Sequence, residues 1–112
     1  MQNIIILGAA TLVLAACQQS PQDQKADQIE DTAEIRADAV RENTEAQADM
    51  IEKQADAYGA NPGAAAERTE TQLEADAEAT RRAGEAQADA IENRGEARAD
   101  AVRDAPAETK RP

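Results

Sequence analysis

The chain has 112 residues, a formal net charge of −11, no His, one Cys and a single aromatic residue, Tyr58. So acidic a surface excludes general nucleic-acid binding, which needs Lys and Arg to replace the counterions of phosphates, and it repels anionic lipid headgroups. Only nine large apolar side chains follow Cys17 (Ile29, Ile35, Val40, Met50, Ile51, Tyr58, Leu73, Ile91 and Val102), which excludes a compact globule and leaves an extended helix, partial disorder or an oligomer.

The first element is an apolar run of 13 residues, Ile4 through Ala16, that closes on Leu14-Ala15-Ala16-Cys17. A membrane-spanning helix needs about 20 apolar residues. Here Gln18, Gln19, Ser20 and Pro21 follow at once, so the run has the length of a signal-peptide apolar region. An apolar residue, two small ones and a Cys resemble the lipobox of bacterial prolipoproteins. That resemblance implies a signal peptide over residues 1–16, cleavage between Ala16 and Cys17, and a lipid on Cys17 that anchors the chain to a membrane. The mature chain would then have 96 residues (112 − 16). In Gram-negative lipoproteins an Asp directly after the lipidated Cys retains the protein in the inner membrane. Gln18 stands at that position, so the resemblance implies an outer-membrane anchor with the mature part facing the periplasm.

Residues 17–20 make a very short tether. Ser20-Pro21-Gln22-Asp23 then reads as a helix start: Ser caps free backbone N–H groups, Pro suits the first helical position, and Asp favours the positive end of the helix dipole. A helix is predicted over 21–58. Within it Ala26-Asp27-Gln28-Ile29, Ala37-Asp38-Ala39-Val40 and Ala48-Asp49-Met50-Ile51 recur every 11 residues. The unit returns as Ala88-Asp89-Ala90-Ile91 and Ala99-Asp100-Ala101-Val102.

This repetition draws a seam of small and apolar residues. It runs Ala26, Ile29, Ala33, Ala37, Val40, Thr44, Ala48, Ile51, Ala55 in the first half. In the second half it runs Leu73, Ala77, Thr80, Gly84, Ala88, Ile91, Gly95, Ala99, Val102. Eleven residues in three turns is about 3.67 per turn, which favours straight or right-handed packing. Ala also has the highest helix propensity. Between the halves, Gly59 is expected to end the first helix in a left-handed conformation, and Asn61-Pro62 to start the second. The turn is therefore placed at 59–61 and the second helix at 62–105, with residues 106–112 as a disordered tail. A connection this short joins antiparallel neighbours. The fold class is all-α: extended, Ala-rich amphipathic helices with 11-residue repeats, arranged as a two-helix hairpin or rod and partly disordered.

Both helices are acidic, with 11 acidic and 4 basic residues in 21–58 and 11 acidic and 6 basic in 62–105. Two such helices repel across a seam of small residues, so the hairpin is expected to open, or pair with another copy, at little cost. Glu30, Glu34, Asp38 and Glu42 form an i, i+4 column, as do Glu92, Glu96, Asp100 and Asp104. Like charges at this spacing oppose a helix, so acidification is expected to raise helicity. Such columns serve as a solvated face, collect divalent cations or meet a basic partner.

The chain has no His, no second Cys, no Walker-type loop and no Ser nucleophile with a base. General acid–base work by a carboxyl needs a desolvating pocket, and these residues offer no material for one. No enzyme activity, cofactor or metal is predicted. Thr44-Glu45-Ala46-Gln47-Ala48 is similar to the 11-residue repeats of late-embryogenesis-abundant desiccation proteins, and the Ala-rich seam resembles the right-handed stalk of the ATP synthase b subunit. Three functions follow as expectations. The first is a lipid-anchored structural or interaction protein of the bacterial envelope, which self-associates through its helices or meets an envelope partner. The second, implied by the desiccation-protein resemblance, is a stress protectant of membranes or proteins. The third is an accessory subunit of an envelope complex.

Overall fold

The structure, a computed structural model, describes residues 19–61 and 63–106. They form two α-helices, α1 (Pro21–Gly59) and α2 (Ala64–Asp104), packed along each other as an antiparallel hairpin. With 39 and 41 residues, the helices are about 58 and 62 Å long at 1.5 Å per residue.

The start of α1 is set by its own side chains. Ser20 Oγ accepts a hydrogen bond from the Asp23 backbone N–H at 3.1 Å, and its hydroxyl donates to Asp23 Oδ2 at 2.8 Å. Pro21 occupies the first turn, where its missing N–H costs nothing. One residue on, Gln22 Nε2 donates to the Ala105 carbonyl at 2.6 Å. That bond fastens the start of α1 to the end of α2.

At the other end the turn differs from the expected one. Gly59 is not left-handed; it is the last residue of α1, and Ala60 follows at φ −72°, ψ −13°. The backbone N–H of Ala60 bonds the Asp56 carbonyl, and that of Asn61 bonds Tyr58. The chain instead reverses at Gly63, which caps α2 at φ 143°. Only a residue without Cβ reaches that conformation cheaply, so the turn extends to Gly63 instead of ending at 61; Pro62 lies outside the described residues. The second helix runs from Ala64 to Asp104, with Gly63 and Ala105 as its caps, where a helix reaching 105 is expected from the sequence.

All 18 seam residues are buried or half-buried. The fully covered ones are small: Ala26, Ala33, Ala37, Ala48 and Ala55 on α1, with Ala77, Gly84, Ala88, Gly95 and Ala99 on α2. The register explains why. A Cβ built on Gly84 would overlap the Thr44 side chain, and one on Gly95 would overlap Ala33 Cβ. The residue numbers total 128 in both pairs. The same register sets Ile29 level with Ala99, Val40 with Ala88, Ile51 with Ala77, Leu73 with Ala55, Ile91 with Ala37, and Val102 with Ala26. Each of these six layers thus holds one larger side chain, half-buried, and one small residue that lets the backbones approach, while the Ala33–Gly95 layer holds two small ones.

A helix-interior Gly costs about 1 kcal/mol relative to Ala. Gly84 and Gly95 offset that cost by making room. Thr44 and Thr80 enter the seam without an unsatisfied hydroxyl, because each donates to the carbonyl four residues back, Val40 at 2.6 Å and Asp76 at 2.8 Å. Their methyl groups are left for contact.

Candidate functional site

The two long flanks of the hairpin carry its chemistry, and they differ. On one flank three arginines bridge the helices. Arg41 on α1 reaches three α2 carboxylates, Glu85 at 3.1 Å, Asp89 at 3.3 Å and Glu92 at 2.7 Å. Arg81 on α2 reaches three on α1, Glu45 at 3.1 Å, Asp49 at 3.2 Å and Glu52 at 2.6 Å. These two clusters are copies: adding 40 to Arg41, Glu45, Asp49 and Glu52 gives Arg81, Glu85, Asp89 and Glu92. The same shift takes Thr44 to Gly84, which face each other. They sit where a local two-fold axis passes between the helices, so identical positions meet and only one can carry a side chain.

The third cluster is a near-repeat. Arg103 binds Asp27 at 3.1 Å and Glu30 at 2.8 Å. The position equivalent to Glu45 and Glu85 is Asp23, and its carboxylate is held by the Ser20 cap instead.

Each arginine side chain is 31% exposed and the carboxylates are more so. Single exposed pairs contribute little; networks built on one guanidinium contribute more. The hydrogen bond from Arg103 holds the Glu30 carboxyl below its ordinary value of 4.5. Arg81 does the same to Glu52, and Arg41 to Glu92. In return the hydrogen bonds to Glu92, Glu52 and Glu30 raise Arg41, Arg81 and Arg103 above the ordinary arginine value.

The expectation of two mutually repelling acidic helices is corrected here. Eight ion pairs cross from one helix to the other. The carboxylate columns are divided by them: Glu30, Asp38, Glu92 and Asp100 all contact an arginine. The sequence signal for these clusters was present. Arg41, Arg81 and Arg103 each directly follow a seam residue, Val40, Thr80 and Val102, which puts them at the edge of the interface.

The opposite flank of α1 carries Lys25, Gln28, Thr32, Arg36, Asn43 and Gln47, and continues past Met50 to Tyr58 without a carboxylate. All 11 acidic residues of α1 occupy four other positions of the 11-residue repeat. Beside this flank α2 brings Arg94 and Arg98. Lys25, Arg36, Arg94 and Arg98 line an open groove of about 610 Å³ with Gln28 and Thr32. Ile29, Ala33, Ile91 and Gly95 form its floor, and among the described residues no acidic one borders it. None of the four cations takes part in an ion pair among the described residues.

Ala16 and Cys17, the residues of the predicted cleavage and lipid-attachment site, lie outside the described residues. Among the described residues no group of three or more His, Cys, Asp or Glu is placed to hold a metal ion, and no helix is long and apolar enough to cross a membrane. Compared with protein-family models, with curated proteins and with solved structures, the chain matches none.

Proposed function

We propose that the chain is a lipid-anchored structural or interaction protein of the bacterial envelope, without catalytic activity, held at the outer membrane by a lipid on Cys17. The observation that carries this reading is Leu14-Ala15-Ala16-Cys17 at the end of a 13-residue apolar run. The fold is compatible with it in two ways. α1 starts at Pro21, four residues past Cys17, and is capped there by Ser20. The hairpin then reaches roughly 60 Å, a length suited to a spacer or a binding rod. Diacylglycerol supplies two acyl chains, and two lipid signals suffice for stable anchoring.

Cys17→Ser tests the reading. The variant should lose incorporation of a fatty-acid analogue and accumulate as the uncleaved form, whereas the wild type is labelled and stays with membranes. An unlabelled wild-type chain that washes off membranes would overturn it. The 11-residue repeat favours a second reading, a stress protectant. Association that grows with concentration supports the first; a monomeric coil that gains helix on drying supports the second.

A further inference from the structure

Net charge alone predicts that this chain avoids anionic membranes, but the fold sorts its charges by flank. Arg41, Arg81 and Arg103 are taken up by carboxylates. Of the remaining cations of the described residues, Lys25, Arg36, Arg94 and Arg98 converge on one groove that no described carboxylate borders. We propose that this carboxylate-poor flank docks on anionic phospholipid headgroups, so that the hairpin lies along the bilayer with its acidic flank turned to solvent.

Three observations carry the proposal. The first is charge complementarity. Guanidinium groups bind phosphate oxygens bidentately, and Arg36, Arg94 and Arg98 stand together over Gln28 and Thr32, which add polar hydrogen-bonding groups. The opposing carboxylates lie across helices about 10 Å thick, a distance comparable with the Debye length at physiological salt, so their repulsion is largely screened at the docked flank.

The second is the apolar content of the same flank. Ile29, Ala33, Ile91 and Gly95 floor the groove. Further along, Met50 and Tyr58 stand 58% and 48% exposed. Apolar side chains beside Lys and Arg are the pattern of helices that rest in a membrane interface.

The third is length. The flank runs from Lys25 to Tyr58, 34 residues or roughly 50 Å, and only a hairpin lying flat brings all of it to the surface. An upright rod would hold Arg36 about 20 Å beyond the start of α1, out of reach of headgroups. The proposal borrows from the lipid-anchor reading only the presence of a bilayer; the charge arrangement stands without it.

The test uses the full chain as isolated from cells on two kinds of vesicle, phosphatidylcholine alone and phosphatidylcholine mixed with phosphatidylglycerol. Arginines are modified with phenylglyoxal and counted by mass spectrometry. On the anionic vesicles the reactivity of Arg36, Arg94 and Arg98 should fall by about fivefold, the equivalent of about 1 kcal/mol per basic residue at such a surface. Arg82, which lies with Glu78 and Glu85 on the other flank, should keep its reactivity. High salt should remove the protection. Arg94→Glu with Arg98→Glu should remove it at Arg36 while circular dichroism shows the helices retained, and the salt arm decides the matter if that variant does not fold. Equal reactivity on both vesicles would overturn the proposal, as would protection of Arg82 to the same degree. Protection that appears on neutral vesicles and rises with chain density would assign the flank to a second copy and overturn it too. Flotation with neutral vesicles reports the lipid anchor separately: a chain that fails to float there has lost the anchor reading, and protection on anionic vesicles still decides this one.

Discussion

The two flanks of the hairpin are cut from the same 11-residue repeat, yet one is a lattice of ion pairs and the other is almost free of carboxylates. On the first, Arg41 and Arg81 each hold three carboxylates of the other helix. On the second, four cations with no ion-pair partner among the described residues stand over a shallow apolar floor. A net charge of −11 describes neither. What matters to an approaching surface, or to the second helix, is which positions of the repeat hold each charge. In α1 all the acidic residues fall to one side and the back. The consequence is that one flank closes the hairpin while the other is left for something else.

The seam lies under both flanks, so breaking it should have the largest effect. Gly84→Val places side-chain atoms where Thr44 already sits, and overpacking of this kind costs about 1–3 kcal/mol. The thermal midpoint followed by circular dichroism should fall accordingly. Exchanging the two residues, Thr44→Gly with Gly84→Thr, should restore it nearly to wild type, because the local two-fold makes the positions equivalent. A double variant as unstable as Gly84→Val alone would show that the pseudo-symmetry has no energetic meaning.

Acid should act next, chiefly through the paired flank. Glu30, Glu52 and Glu92 titrate below 4.5 in the fold. Their contribution is therefore fully present above that pH and is lost as pH falls through the lower folded values. The thermal midpoint of the hairpin at low salt should drop below pH 4.5. This reverses the expectation drawn from carboxylate columns, in which neutralising like charges at i, i+4 strengthens each helix. The columns are not bare, since half their members contact arginine. A midpoint that rises on acidification would show that repulsion along each helix outweighs attraction between them.

The smallest effects separate the flanks directly. Arg81→Gln removes the partner of Glu45, Asp49 and Glu52 and should lower the midpoint. Arg94→Gln touches no ion pair and should leave stability within about 0.5 kcal/mol of wild type. Equal losses from both would mean that the arginine clusters add nothing beyond helix propensity.

Much of the fold was legible because it follows from local periodicity. A spacing of 3, 4 and 4 places Ala26, Ile29, Ala33 and Ala37 on one stripe whatever the helix packs against. The Ser20 cap and the Pro21 start are likewise set by a few neighbouring atoms. The turn was less legible. Two glycines, Gly59 and Gly63, compete for the left-handed position, and the path of the chain between the helix ends selects Gly63. The proposed lipid site, Cys17, is a motif read by residue type and order, and the fold of the described residues adds nothing to it.

By itself the sequence determined the helices, the seam and the angular position of every charge, because these depend only on residue order and on about 3.6 residues per turn. The tertiary structure decided which charges meet. The pairing of Arg41 with Glu92, or of Arg103 with Glu30, requires an antiparallel register, and many registers would place small residues against small ones equally well. This register is the one in which Thr44 fits Gly84 and Ala33 fits Gly95, each side chain filling the space where the opposite residue has none. A slip of one helical turn would move both side chains off their glycines and carry the three arginines away from their carboxylates.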